Sequence, residues 1–234
     1  MGKIYTNRPF GKFINGYKYI MTQSQAKPEN ASSNGEKAIL QAAEILFAEK
    51  GFAAVSMSAI AKLAKTSKPN IYHHFRNKND LYLAVMKEAV ARSSALLDSL
   101  EDAPGTYSQR LSGFSSGQLE NILAHERSTQ LILREALSGS SERGQEIAKH
   151  VVGSIFARLV AMIHHGQQDN EFRKDIDPAL AAFMVISANM FFFQGSSVMQ
   201  HIPEIHFTNN AGAFSKGVMD ILANGLLRQG GENS

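Results

Sequence analysis

The residues with the clearest chemical potential lie between Ser56 and Lys78, in the stretch SMSAIAKLAKTSKPNIYHHFRNK. From Lys62 to Lys78 this stretch holds five Lys or Arg residues and two His residues but no Asp or Glu. Cations without acids form the electrostatic pattern that a phosphate backbone requires. The alternative interpretation is a basic surface that faces only solvent, and the helical pattern of the same stretch argues against it.

Two short helices joined by a turn are predicted in this stretch. Apolar positions 60, 61, 63 and 64 predict the first helix, residues 65–67 interrupt it, and Ile71 and Phe75 predict the second. Pro69 fits the first turn of the second helix, with Ser67 or Lys68 as its N-cap. With the two apolar residues turned inward, helical spacing leaves five hydrogen-bonding side chains on the other faces: Lys68, Asn70, Tyr72, His73 and His74.

Lys78 strengthens the phosphate interpretation. Asn77 and Asp80 have the spacing of an N-cap and an acidic residue in the first turn of the next helix. A lysine at the positive end of a helix dipole is unfavourable unless an anion binds there. A DNA phosphate at this helix start would supply the anion.

Catalytic and metal-binding interpretations find little support. The chain contains no cysteine, which excludes disulfides and thiolate metal sites and fits a cytoplasmic protein. His164 and His165 are adjacent, so they point to different faces of a helix, and they lack the H-E-x-x-H spacing. No P-loop and no dinucleotide-binding glycine motif occurs. We therefore predict no enzyme activity, no catalytic residue, no metal and no cofactor.

The remaining chain is predicted to be helical throughout, which gives an all-α fold. Residues 1–32 are basic and lack periodicity, so we expect a mobile arm, followed by a three-helix DNA-binding domain at 33–78 and a helical body at 79–234. Residues 1–90 carry a net charge of +7 and the remainder −4. Nucleic acid should therefore meet the N-terminal part.

Helix boundaries follow from capping signals and apolar spacing. Ser33 and Glu36 predict the start of the first helix and Gly51 its end. A long helix is predicted from Asn79 to Leu100, as a lever between the domains, and Asp177 is predicted to cap the helix that follows it. The predicted body helices span 107–125, 127–138, 142–165, 178–200 and 209–228.

Residues 179–193, ALAAFMVISANMFFF, are apolar almost all round, so they require burial on several sides. The run is shorter than the roughly 20 apolar residues that span a bilayer, so we expect no membrane contact. A second copy of the chain would bury the remaining face, with the last helix beside it, in a four-helix interface. The sequence thus predicts a homodimer.

The motif KPNIYHHFRNKNDL, preceded by SAIAKLAKTS, resembles the DNA-binding signature of the tetracycline-repressor (TetR) family over roughly residues 36–90. The resemblance implies that the second short helix enters the major groove while the first lies across the DNA backbone. The family has glycine where Lys65 stands and valine where Thr66 stands, so Lys65 must adopt a turn conformation that costs a non-glycine residue. Together the residue pattern and the resemblance give these candidate DNA-binding residues: Ser56, Ser58, Ser67, Lys68, Pro69, Asn70, Tyr72, His73, His74 and Lys78.

The resemblance also implies that residues 79–234 form an effector-binding and dimerisation domain, with a pocket for a small-molecule effector in this body. Phenylalanine and methionine residues are numerous enough to line an apolar cavity, with His125, Asn189 and Gln194 as polar anchors. The alternative is ordinary core packing. The candidate pocket residues are Phe114, His125, Phe156, Phe183, Asn189, Met190, Phe193 and Gln194.

These expectations combine into one function. We predict a homodimeric regulator that binds an inverted repeat in double-stranded DNA and represses transcription until a small, mostly apolar effector releases it. Two alternatives stay open at this point: a sequence-tolerant architectural DNA-binding protein, and a helical enzyme or carrier whose basic motif is incidental.

Overall fold

The structure, a computed structural model, describes residues 34–137 and 141–226. Its first four helices contain the predicted helix-turn-helix. The described residues contain ten α-helices and no β-strand, so the predicted all-α fold is confirmed. The predicted arm at residues 1–32 and the predicted cap at Ser33 lie outside the described residues. The four N-terminal helices are α1 (Asn34–Ala54), α2 (Met57–Leu63), α3 (Lys68–His74) and α4 (Lys78–Glu101).

The body helices lie within a few residues of the predicted bounds, with one interruption. A π-helical turn, Ala148–Val152, divides the helix predicted at 142–165. A short 3₁₀ turn, Phe207–Asn209, precedes the last helix. The body helices are α5 (Tyr107–Ala124), α6 (Glu126–Leu137), α7 (Ser141–Ile147), α8 (Gly153–Gln168), α9 (Pro178–Met199) and α10 (Ala211–Leu226).

Side-chain caps start α2, α4 and α9, and those of α4 and α9 are at the predicted residues. The side chains of Ser56, Asn77 and Asp177 each accept a hydrogen bond from a backbone N–H two or three residues further on, at 2.7–3.2 Å. Of the two candidates before Pro69, Ser67 is the cap of α3. Such a cap satisfies a backbone donor that the helix itself leaves unpaired.

The end of α1 is held from the body. Gly51 interrupts the helix with φ 76° and ψ 165°, a conformation that glycine adopts without strain. The guanidinium of Arg134 in α6 donates a hydrogen bond to the carbonyl oxygen of Phe47 at 3.2 Å. A Cβ on Gly51 would lie 3.2 Å from the same guanidinium. Glycine at position 51 therefore allows both the turn at the end of α1 and the close approach of α6.

Two hydrophobic clusters organise the described residues. The first is built mainly from α1 to α4, including Tyr82, and takes in Leu131 of α6 and Val151 of the π-helical turn. The second lies among α4, α5, α8 and α9 and includes Leu97 and Phe114. Because α4 supplies Tyr82 to one cluster and Leu97 to the other, it connects them. The first cluster continues into α4, and the domain boundary between residues 78 and 79 stays a prediction.

Arg158 of α8 fastens the C-terminal half of α4 to the body. It donates hydrogen bonds to Glu101 at 2.6 Å, to Asp98 at 2.7 Å and to the hydroxyl of Ser94 at 3.2 Å. Burial alone would lower the pKa of Arg158, but the hydrogen bonds with Glu101 and Asp98 raise it above its ordinary value. The guanidinium therefore stays charged, and its N–H groups donate to side chains on one face of α4.

One face of α9 is apolar but uncovered in the single chain. Leu180, Phe183, Phe191 and Val198 are 55–69% exposed. At 22 residues α9 is longer than the run at 179–193, so the argument from length against a membrane span does not extend to the whole helix. By length and composition α9 and the segment Gly144–Gln168 could each cross a membrane, but core helices of soluble proteins meet the same test.

The π-helical turn lies where the chain passes from one cluster to the other. Val151 packs in the first cluster and Ile155 in the second. A Cβ added to Gly153, the residue after the turn, would clash with the carbonyl oxygen of Ala148. Only glycine therefore fits this turn without a backbone shift.

We expect Gly153→Ala to lower the free energy of unfolding by about 1–3 kcal/mol, because the added methyl group forces the backbone to move. The matched control is Gly144→Ala in α7, where nothing lies within 4 Å of the added Cβ. That control should stabilise the protein by about 0.4–1 kcal/mol through the unfolded state. Urea unfolding at one protein concentration measures both, and equal stabilisation by the two substitutions would contradict the π-helical turn.

Candidate nucleic-acid interface

The turn between α2 and α3 contains the strained residue predicted at Lys65. Its φ is +51°, in the left-handed region. The N–H of Thr66 donates to the carbonyl oxygen of Ala61 at 3.0 Å, which closes α2 in the way that glycine usually closes a helix. A lysine in this conformation costs about 1–2 kcal/mol relative to an unstrained one.

Asn70 braces the same turn. Its side-chain Nδ2 donates a hydrogen bond to Oγ1 of Thr66 at 2.9 Å, in a partly buried position. The bond joins the first turn of α3 to the residue after Lys65, so it opposes any change in the angle between α2 and α3. The assignment of Asn70 as a DNA contact stays a prediction, since its amide is already engaged within the helix-turn-helix.

The outer surface of α3 is aromatic and basic. Ile71 and Phe75 are 0% and 7% exposed and anchor the helix in the first cluster, as their spacing predicts, whereas Tyr72 is 51% exposed. Of the ten DNA-binding candidates, seven are exposed, namely Ser56, Ser58, Ser67, Lys68, Pro69, Tyr72 and His73, and three are half-buried, namely Asn70, His74 and Lys78.

Lys78 lies against the end of α1. Its Nζ is 4.4 Å from the centroid of the Phe52 ring and 3.5 Å from the carbonyl oxygen of Ala53. A cation over an aromatic face contributes about 0.5–1 kcal/mol at an exposed site. The ammonium is thereby held at the end of α1, while the backbone of Lys78 begins α4, where helix N–H groups favour an anion. Its contact with a phosphate stays a prediction.

Three further cations border α3, and the assignment of side chains to helix faces did not select them. Lys62 and Lys65 are exposed. The side chain of Arg76 is 88% exposed and forms an ion pair with Asp80 at 2.5 Å. The hydrogen bond with Asp80 raises the pKa of Arg76 above its ordinary value, so its charge is permanent. The count of basic residues from Lys62 to Lys78 included Arg76. Helical spacing did not assign Arg76 to a face, because it lies beyond the end of α3.

The eight candidate effector residues are dispersed. Phe114 and Asn189 are fully buried, whereas Phe183 is 60% exposed on the outer face of α9. His125 ends α5 and lines a separate cleft with Glu44 and Arg92. Of the others, Phe156, Met190 and Phe193 are half-buried and Gln194 is exposed.

A buried polar cluster joins α5, α9 and α10. Nδ2 of Asn189 donates to the backbone oxygen of Ser115 at 2.9 Å and to Oε1 of Gln118 at 3.0 Å. The hydroxyls of Ser115 and Ser215 are 3.1 Å apart and hydrogen-bonded. Oδ1 of Asn189 is buried and has no hydrogen-bond partner among the described residues. An unmet acceptor of this kind costs about 1–3 kcal/mol, so it offers a place for a ligand donor.

The sequence prediction missed Ser115, Gln118 and Ser215. The sequence did contain a signal for two of them. Helical spacing places Ser115 and Gln118 on the same side of α5 as Leu111 and Phe114, which are buried. A polar residue on such a face is buried when the helix packs.

Residues 113–117 read GFSSG, which has the G-x-S-x-G spacing of a nucleophile elbow. They lie inside α5 instead of at a strand-to-helix turn, and the Ser115 hydroxyl meets Ser215 and not a histidine. The geometry of an elbow is therefore missing at this serine. Within residues 34–137 and 141–226, no three His, Asp or Glu residues are grouped so that they could hold a metal.

Comparison with protein families matches residues 39–85 to the model described as bacterial regulatory proteins, tetR family. The HTH-type transcriptional regulator UidR of Escherichia coli (strain K12) is 28% identical over 171 residues, which cover 70% of this chain and 79% of UidR. The uncharacterized HTH-type transcriptional regulator YhgD of Bacillus subtilis (strain 168) is 25% identical over 155 residues, covering 66% of this chain and 80% of YhgD.

Solved structures share the fold over most of the chain. The fatty acid degradation regulator FadR from Bacillus halodurans matches with a TM-score of 0.69 and 19% identity, covering 85% of this chain and 100% of FadR. The regulator FadR from Bacillus subtilis, in complex with stearoyl-CoA, matches with a TM-score of 0.68 and 20% identity, covering 81% of this chain and 98% of that one. At this identity the likeness concerns the fold alone.

The bond between Asn70 and Thr66 predicts coupled effects on stability. Asn70→Ala and Thr66→Val should each lower the free energy of unfolding by about 0.5–1.5 kcal/mol. The double variant should lose less than the sum, by at least about 0.5 kcal/mol, because both substitutions remove one bond. Urea unfolding of the four proteins measures this coupling. Strictly additive losses would contradict the bond, and a loss of DNA affinity confined to Asn70→Ala would make Asn70 a DNA contact.

Proposed function

We propose, on the premise that this chain belongs to the tetR family of bacterial regulatory proteins, that it is a homodimeric repressor which a small, mostly apolar effector releases from an inverted-repeat operator. That it is a DNA-binding transcriptional regulator follows from the family and from its relatives. No catalytic step is part of the proposal, and the expected location is the cytoplasm, where the operator lies.

The observation that carries this proposal is the exposed face of α3. Ile71 and Phe75 fix the helix from inside, so its outer side chains are presented by a rigid support. The major groove of B-DNA admits an α-helix and displays a distinct pattern for each base pair. We assign base readout to Tyr72 and His73, and contact with bases or phosphate to Lys68.

The remaining contacts orient the protein on the duplex. Hydrogen bonds to phosphates fix register without reading sequence. Ser56 and Ser58 at the start of α2, His74 at the end of α3 and Lys78 at the start of α4 are assigned this role. Because Lys78 already rests on the Phe52 ring, little side-chain entropy is lost when it meets a phosphate.

The uncovered face of α9 supports a homodimer. Phe191 on that face is 66% exposed, and Ile221 of α10, the helix that packs against α9, is 75% exposed. Large exposed apolar patches mark interaction sites, and a second copy presents a matching patch across a two-fold axis. A dimer also holds two copies of α3 at a set spacing, and a spacing of about 34–36 Å matches half-sites one helical turn apart.

Phe191→Glu should dissociate the dimer, because it places a charge where the two chains would exclude water. Operator affinity should fall by at least about tenfold, since each chain then binds a single half-site. Leu137→Glu is the matched control, because Leu137 is 77% exposed on α6, outside the proposed interface. Light scattering after size exclusion and operator binding are the two readouts. A Phe191→Glu protein that stays dimeric would contradict the interface.

The buried polar cluster supports the proposed effector site. An effector with a hydrogen-bond donor could satisfy Oδ1 of Asn189 while its apolar part packs beside Phe114 and its neighbours. FadR of Bacillus subtilis was solved with stearoyl-CoA, so acyl thioesters are the first class to screen against this chain. Their long apolar chain fits the predicted character of the effector.

The proposed coupling runs through α4. Arg158 ties the C-terminal half of that helix to α8, and the N-terminal half starts beside α3. An effector that shifts α8 or α9 would move α4 and change the spacing of the two recognition helices. Release follows when that spacing no longer fits both grooves, because the effector binds one spacing more tightly than the other.

Selection from a random DNA pool, with the purified chain near physiological salt, tests the function. We expect an enriched inverted repeat, and His73→Ala should relax one position in each half-site by about 1–3 kcal/mol of discrimination. Lys87→Ala, an exposed change further along α4, is the control and should keep the preference. Binding without enrichment would favour a sequence-tolerant architectural protein, and no binding at all would overturn the proposal.

A further inference from the structure

A polar cleft of about 420 Å³ opens where the first hydrophobic cluster meets the body. Glu44 of α1, Arg92 of α4 and residues 123–128 at the junction of α5 and α6 line it. Small-molecule sites occupy about 300–1,000 Å³, so the cleft has the size of one. It is separate from the buried polar cluster around Asn189, although His125, one of the candidate effector residues, lines it.

The junction that forms the cleft is held in place by the protein itself. Oγ1 of Thr129 donates a hydrogen bond to the carbonyl oxygen of Ile122 at 3.0 Å, and its N–H donates to that of His125 at 3.1 Å. The hydroxyl of Ser128 donates to the carboxylate of Glu44, which joins α6 to α1. The walls are thus preorganised, which lowers the cost of binding a ligand.

Two guanidinium groups in the cleft lack acceptors. Arg92 is half-buried and Arg127 is exposed, and within the described residues neither makes a hydrogen bond or an ion pair. Arg158, which is also half-buried, satisfies its donors on Asp98 and Glu101. No nitrogen of Arg92 is fully buried, so its N–H groups are open to a ligand, and a planar carboxylate matches the paired N–H groups of a guanidinium. Arg92, the less exposed of the two, is therefore the group in the cleft best placed to hold a carboxylate.

Acidic side chains restrict which anion fits. Glu44 and Glu126 balance the two arginines, so the lining carries no formal net charge when His125 is neutral. Glu44 already accepts from Ser128, whereas the exposed Glu126 has no partner among the described residues. A multiply charged anion would be repelled by both carboxylates. A monoanion that also carries a donor would meet arginine at one end and Glu126 at the other.

We propose that this cleft binds a small α-hydroxy or α-amino acid, with its carboxylate on Arg92 and Arg127 and its hydroxyl or ammonium group on Glu126. The ligand bridges α4 and α6. Because α6 is bonded to α1 through Ser128 and Glu44, the bound molecule braces the DNA-binding helices against the body. The site is a second regulatory input, beyond the apolar effector of the proposed function.

Binding at this junction is expected to change operator affinity by at least about fivefold, and the operator changes the affinity for the acid by the same factor. The reason is that the ligand contacts α4, whose position sets the spacing of the recognition helices. An operator-binding curve with and without the acid measures this linkage.

The direct test uses lactate and serine as probes on the full chain, with acetate and inorganic phosphate as comparison anions. A probe at about ten times its Kd should raise the thermal midpoint by about 3–6 °C. Acetate, which lacks the second donor, and phosphate, which carries more charge, should give less than half of that shift. Arg92→Gln should weaken the probe response at least tenfold, and Lys87→Gln on the same helix should leave it unchanged.

Should Arg92→Gln fail to fold, Arg127→Gln at an exposed position takes its place and should also weaken the response. The proposal is overturned if neither lactate nor serine shifts the midpoint, if phosphate acts as strongly as lactate, or if both arginine variants respond like the parent. Operator binding without any acid tests the proposed function separately. An operator-binding chain without a probe response removes only the cleft proposal, and a probe response without operator binding removes only the repressor.

Discussion

The packing of α4 into both hydrophobic clusters is the constraint on which the rest of the structure depends. Its first half supplies Tyr82, whose ring meets Phe47 edge to face at 4.9 Å, and its second half supplies Leu97. Arg158 adds a charged fastening at the far end. Close-packed interiors transmit displacements because they have no free volume to absorb them. In the proposed coupling, a movement of the body against Leu97 would therefore reach the start of α4, beside α3.

A second connection makes the DNA-binding helices dependent on the body. Tyr82 donates a hydrogen bond from its hydroxyl to Glu135 of α6 at 2.7 Å, and Arg134 of the same helix reaches the backbone of α1. Leu131 of α6 is buried in the first cluster. The three-helix unit thus shares its core with α6, so packing against the body stabilises the helices that carry the proposed DNA-binding surface. In the proposed homodimer, a second chain packed on the uncovered α9 face would set the distance between the two copies of α3.

Helix starts and inward faces were predictable because their causes are local. A capping bond, such as that of Ser67 or Asn77, closes within three residues, and the burial of Ile71 and Phe75 follows from their spacing on one helix. The π-helical turn at Ala148–Val152 was not predictable, because apolar residues keep a helical period through it. Val151 packs in the first cluster and Ile155 in the second, and no short window of sequence contains those contacts.

The sequence by itself determined the all-α class, the helix-turn-helix and the character of its surface, since these rest on interactions between residues a few positions apart. Only the tertiary structure decided what the polar side chains meet. Lys78 lies over Phe52 and Asn189 bonds to Gln118, in pairs brought together from distant parts of the chain. It also decided that Phe183 is exposed while Phe114 is buried, because residue type sets the gain from burial but only helix packing sets which faces are covered.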